Sequence, residues 1–159
     1  MIRRVIATGQ ETELFRMKTP GDGFFSPSLS PDEKQIAFLV STGESEYTLV
    51  AIPVAGGAPR ELYHCPKNLS IGLQHALAWT NDGRHLLALG NQSGRPMLWS
   101  FAVEGGEPQA SSLAPITSFA RPPSISVHPD SKRIAISGGQ NRQELWVMRG
   151  LLREAGRSR

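Results

Sequence analysis

Asp32, Asp82 and Asp130 stand 50 and 48 residues apart, and each is followed two positions later by a cation: Lys34, Arg84 and Lys132. A carboxylate beside a cation is a familiar acid–base pair. Recurrence argues against that role here. A catalytic centre assembles different groups once, whereas one group at the same place in every repeat serves the repeat. An aspartate in a tight turn accepts a bond from an amide two residues on, and that function can recur. The other groups that could do chemistry are wrongly spaced for it. His64, His75, His85 and His128 contain no close ligand pair of the kind metal sites use. Gly90-Asn91-Gln92-Ser93-Gly94 approaches a nucleophile elbow, but the serine is one place late and no helical pattern follows. Gly138-Gly139-Gln140 lacks the lysine of a phosphate loop. Trp99 and Trp146 share their repeat position with Val50, and Trp79 shares its own with Leu29 and Val127. Apolar equivalents mark these indoles as packing groups, not stacking platforms. The reading is therefore non-enzymatic: no catalytic residue, no cofactor and no metal is expected.

The bulk properties narrow the partners. Seventeen basic and 14 acidic residues leave a net charge of +3, spread along the chain. Nucleic-acid binders gather Lys and Arg on one face, so no nucleic-acid partner is expected. The one local excess is Arg149, Arg153, Arg157 and Arg159 in the tail, read as a solvated end. Apolar runs such as Ile36 to Val40 fall far short of the roughly 20 residues of a membrane helix. The segment after Met1 lacks the apolar stretch of a signal peptide. Membrane insertion is not expected, and periplasm and cytoplasm both stay open. Cys65 is the single cysteine, which rules out an internal disulfide.

The elements that carry these residues repeat. Ser30-Pro31-Asp32-Glu33-Lys34 leads into Ile36-Ala37-Phe38-Leu39-Val40. Thr80-Asn81-Asp82-Gly83-Arg84 leads into Leu86-Leu87-Ala88-Leu89, and His128-Pro129-Asp130-Ser131-Lys132 into Ile134-Ala135-Ile136. Apolar residues at consecutive positions put both faces of each strand under cover. Glycine pairs at Gly56-Gly57 and Gly105-Gly106 mark a second recurring turn, 49 residues apart. Self-similarity at this period in a chain rich in strands and turns points to propeller blades. The expected fold is all-β: a partial β-propeller of about three blades of four-stranded antiparallel sheets, plus a partial N-terminal blade. Residues 1–17 read as strands three and four of a preceding blade, because Ala7 to Phe15 aligns with Ala55 to Tyr63. Residues 22–65 and 72–113 read as whole blades, 121–149 as a last blade lacking its outer strand, and 150–159 as a basic tail. About three blades are fewer than the 4–8 that close a ring. The missing blades are expected from the same longer chain or from a second copy.

Ser30-Pro31-Asp32 with Ile36-Ala37-Phe38, Asn81-Asp82-Gly83 with Leu87-Ala88-Leu89, and Pro129-Asp130 with Ile134-Ala135-Ile136 resemble the TolB-like, WD-like β-propeller repeat of bacteria. Leu98-Trp99 and Leu145-Trp146-Val147-Met148 match its third strand. Glu33 and Ser131 depart from it, standing where the repeat has glycine. The resemblance implies a non-catalytic propeller that binds a protein or peptide, as the C-terminal part of a larger bacterial scaffold, sensor or regulator. It implies as an alternative the propeller that screens access to a prolyl-oligopeptidase-type serine hydrolase.

Strand alternation assigns the loops to two rims. The Asp turns and glycine pairs form a short, regular rim. The other carries longer, varied connections: Ser41 to Glu46, Cys65 to Gln74, Asn91 to Arg95, Leu113 to Arg121 and Gly138 to Arg142. Varied loops on a rigid frame are where recognition sits, so a protein or peptide partner is expected there, contacting Glu44, Glu46, Arg95, Arg121 and Arg142.

Overall fold

The Asp turns dictate sheet by joining strands that have apolar residues on both faces. In a computed structural model of the chain, described over residues 1–17, 23–41, 47–65, 70–71, 77–113 and 124–137, every regular element is a strand. β1 (Ile2–Arg4) and β2 (Glu11–Glu13) form an antiparallel pair. β3 (Gly23–Leu29), β4 (Gln35–Ser41), β5 (Tyr47–Pro53) and β6 (Arg60–Cys65) form an antiparallel sheet in sequence order. β7 (Ser70–Ile71), β8 (Leu77–Trp79), β9 (His85–Gln92), β10 (Arg95–Ala102) and β11 (Gln109–Ser112) form the next, in which β7 and β8 both pair with β9. β12 (Ile125–Val127) and β13 (Ile134–Ile136) form a last pair.

β4 shows how the sheets stack. Side chains alternate across a strand, so Ala37 and Leu39 point one way and Ile36, Phe38 and Val40 the other. Ala37 and Leu39 join Leu49, Cys65, Leu77, Trp79, Leu86, Ala88, Trp99 and Phe101 in one core between the two large sheets. Phe38 joins Val50, Ile52 and Leu14 in a second core against the N-terminal pair. Its ring lies 5.0 Å from Phe15 and 6.1 Å from Phe24, and it is fully buried. Truncating such a phenylalanine to alanine costs about 3–5 kcal/mol. The first strands of successive sheets adjoin in series, β3 beside β8 and β8 beside β12. The indole Nε1 of Trp79 donates to the carbonyl of Ser28 at 2.9 Å across the first of these junctions.

Several boundaries differ from the sequence expectation. Asn91 to Arg95 is not an open loop. Strands run through Gln92 and restart at Arg95, leaving a two-residue turn at Ser93-Gly94. Both turn residues have positive φ, 51° and 76°, the geometry that follows strand twist in tight hairpins. β7 arises inside the expected loop from Cys65 to Gln74, using the edge of β9 opposite Asn91. β3 is interrupted between Phe25 and Ser28. There Ser26 takes φ 57° ahead of Pro27, and a proline without an amide hydrogen is tolerated at such a bulge. The expected third strand over Glu144 to Met148 lies outside the described residues.

Candidate functional site

The three aspartates are consumed by their own turns. Asp32 Oδ1 accepts from the Ser30 hydroxyl at 2.7 Å and from the Lys34 amide at 3.1 Å, while the Gln35 amide donates to Ser30 Oγ at 2.9 Å. Asp82 repeats the arrangement with Thr80 Oγ1 at 2.6 Å and the Arg84 amide at 3.0 Å, and the His85 amide donates to Thr80 at 3.0 Å. Asp130 accepts from the Lys132 amide at 2.9 Å and from Arg133 Nε at 2.9 Å. His128 stands where the other turns have a hydroxyl. Each set of donors favours the ionised carboxylate and holds its pKa below the usual range. The largest cause is the Ser30 hydroxyl for Asp32, the Thr80 hydroxyl for Asp82 and the Lys132 amide for Asp130. In each turn Oδ1 is held by the turn's own donors, so the aspartate recurs as a turn residue. The turns also touch one another: Asn81 Nδ2 donates to the carbonyl of His128 at 2.8 Å.

The opposite rim is represented by the β9–β10 hairpin. Arg95 begins β10 opposite Gln92, at the hairpin tip, and its side chain is exposed. Among the described residues it meets no carboxylate. Glu44, Glu46, Arg121 and Arg142 lie outside the described residues, so Arg95 is the one expected contact residue with a defined place. Gly90-Asn91-Gln92-Ser93-Gly94 lies in the same hairpin with strand on both sides, which is not the strand-to-helix turn of a nucleophile elbow.

Trp79 and Trp99 are 6% and 7% exposed and belong to the core between the large sheets. Neither offers a ring face to a ligand. Trp146 lies outside the described residues. Among the described residues no group of three or more His, Cys, Asp or Glu side chains converges, and no helix is long and apolar enough to cross a membrane. Cys65 is fully buried, and burial pushes its thiol pKa up to about 12.

One concavity escaped the sequence reading. Phe15, Val40, Thr48, Val50, Pro59 and Glu61 line a cleft of about 280 Å³ beside the N-terminal pair. These residues come from β4, β5, the approach to β6, β6 itself and the segment after β2. No spacing along the chain could have signalled them. The cleft is slightly smaller than the roughly 300–1,000 Å³ typical of small-molecule sites.

Recurring turns, stacked antiparallel sheets and serially adjoining first strands describe blades around a hub. No family model and no curated protein matches the chain. Among solved structures the chain is similar to TolB from Acinetobacter baumannii, with a TM-score of 0.57 and 19% identity over 74% of this chain. The fold is a TolB-like partial β-propeller. The matched part spans 27% of that protein's chain, so the likeness concerns about a quarter of its length.

Proposed function

We propose that this arc of blades is a non-catalytic scaffold that binds a protein or peptide on the rim opposite the Asp turns, as part of a larger bacterial scaffold, sensor or regulator. The observation that carries the reading is the contrast between the two rims within one chain. The Asp turns reproduce the same hydrogen bonds in successive blades. On the other rim the connection from β4 to β5 takes residues 42–46, whereas that from β9 to β10 takes two. A rim that repeats serves the frame. A rim that changes from blade to blade offers distinct chemistry at each position. Glu44, Glu46, Arg95, Arg121 and Arg142 supply charges of both signs there, fitting a partner with mixed charge. Further blades, from the same polypeptide or another copy, complete the ring.

The test is a peptide display selection against the protein. Peptides it enriches are expected to lose at least tenfold in affinity on R95E/R142E and to keep it on K34E/K132E, which reverses charge on the Asp-turn rim. Peptides that bind both variants as they bind the parent would overturn the reading.

A further inference from the structure

We propose that the cleft beside Phe15 receives a tryptophan side chain of a protein or peptide partner, its indole N–H donating to Glu61. The cleft lies on the outer half of the first large sheet, over β4, β5 and β6. The inference does not depend on what the rim binds.

The junction between the two large sheets has the same positions with an occupant of its own. Val50 lies opposite Glu61 as Trp99 lies opposite Ala110. Val40 lies opposite Thr48 as Gly90 lies opposite Met97. Phe15 aligns with Tyr63. At the second junction Trp99 is buried, with Met97 and Tyr63 packed on the same core. At the first, Val50 and Thr48 put shorter side chains where the indole and the thioether stand. Bulk returns on β4, where Phe38 replaces Ala88 opposite the third strand. Over β5 and β6 it does not return, and the cleft of about 280 Å³ lies there.

The walls are formed in advance. The Phe15 ring is held by Phe24 at 6.4 Å, edge to face, and by Phe38 at 5.0 Å. Thr48 Oγ1 is engaged by His64 Nδ1 at 3.4 Å. Glu61 then supplies the one carboxylate of an otherwise apolar lining, and it has no ion pair among the described residues. The two junctions differ in how they treat an indole nitrogen. Trp99 Nε1 is buried with no partner among the described residues, and its cross-strand neighbour is an alanine. Where the chain supplies no indole, that neighbour is a glutamate. An indole has a single donor and no acceptor, which matches one carboxylate in an apolar cleft. A guanidinium has five donors and would turn most of them toward carbon. A phenyl ring would leave the carboxylate unpaired.

The experiment is an NMR titration of the isotope-labelled protein with N-acetyltryptophanamide. Saturable shifts of the Val40 and Val50 methyl groups are expected. E61A, and separately methylation of the probe's indole nitrogen, should each weaken binding about fivefold, the loss of one hydrogen bond to a charged group. On E61A the methylated probe should bind as the unmethylated one does. V50W supplies an indole from β5 and is expected to abolish binding. E61A and the methylated probe leave the core untouched, so the test stands even if V50W does not fold. Free tryptophan, whose charged ends a residue within a partner lacks, should bind no more tightly than the amide. The absence of saturable shifts at Val40 and Val50 would overturn the proposal. So would equal binding by E61A, by the methylated probe or by N-acetylargininamide, or tighter binding of free tryptophan. R95E/R142E is expected to leave the affinity for the probe unchanged, which separates the cleft from rim binding.

Discussion

Arg60 Nη1 donates to the carbonyl of Val103 at 3.0 Å, joining the outer strand of one blade to the turn after the third strand of the next. The preceding junction contains the same bond with a different donor. Arg3 Nη1 reaches the carbonyl of Val54 at 2.9 Å, and Val54 precedes Gly56-Gly57 as Val103 precedes Gly105-Gly106. Thr12 aligns with Arg60, and Arg3 Nη2 lies 3.4 Å from Thr12 Oγ1. The guanidinium therefore occupies the same place at both junctions, although it is delivered by β1 in one and β6 in the other. A charged donor on a carbonyl that has no other bond among the described residues makes R60A expected to destabilise the protein by about 1 kcal/mol. R60K keeps the charge but not the planar fork and should recover only part of that. Urea denaturation of the three proteins checks the order.

The third residue of each Asp turn is left-handed: φ is 59° at Glu33, 68° at Gly83 and 56° at Ser131. Only the middle turn uses the residue that adopts this conformation without a Cβ penalty. Left-handed backbone costs a non-glycine residue about 1–2 kcal/mol, and glycine's extra unfolded-state entropy offsets part of the gain. E33G and S131G are each expected to stabilise by about 0.5–1 kcal/mol. G83A is expected to destabilise by a similar amount or more. Thermal unfolding midpoints that rise for the first two and fall for the third would match, and a fall on E33G would not.

These turns explain how far the sequence could be read. The period of the Asp turns and the two-faced apolar strands Ile36 to Val40 and Leu86 to Leu89 revealed the repeat, because short-range chemistry sets both. Glu33 and Ser131 were legible as replaced glycines only through the resemblance to the TolB-like repeat, which has glycine there. The β9–β10 hairpin was read one step too open, since Ser93 had to take the positive φ that glycine or asparagine usually signals. β7 was not legible: two residues pairing with the edge of β9 depend on a neighbour, not on their own pattern. Nor was the cleft beside Phe15, whose walls come from separate segments. The Arg3 and Arg60 bonds were equally hidden, because surface arginines carry no mark of the carbonyl they will meet.

The depressed pKa values of Asp32, Asp82 and Asp130 make stability depend on pH in one direction. Their folded pKa values lie below the unfolded values. The contribution is therefore fully present above the unfolded carboxylate range of about 4 and is lost as pH falls through the folded values. Stability is expected to be flat in this respect from neutral pH down to about 4 and to decline below it. In D32N/D82N/D130N the decline should be shallower, because an amide does not titrate. Denaturant midpoints measured from pH 7 to pH 2 compare the slopes. Equal slopes in both proteins would show that other carboxylates dominate acid unfolding.

Cys65 ends β6 in the core between the large sheets, with Leu39, Leu49, Leu77 and Trp79 in the same cluster. Burial disfavours the thiolate and places the thiol pKa at about 12, and the thiolate is the reactive form. An aromatic disulfide reagent at pH 8 is therefore expected to leave Cys65 unmodified in the native protein. It should react only as the sheets part, so reactivity against urea should superimpose on the loss of β-sheet circular dichroism. Rapid labelling without denaturant would place Cys65 outside the core and separate the two sheets it joins. C65A removes one sulfur from a fully buried site and is expected to cost about 1 kcal/mol, from the roughly 0.8 kcal/mol of a buried methylene plus a small cavity. C65S would cost more, because a hydroxyl is costlier to bury than a sulfur in this apolar cluster, where the Leu49 backbone is the polar group beside it.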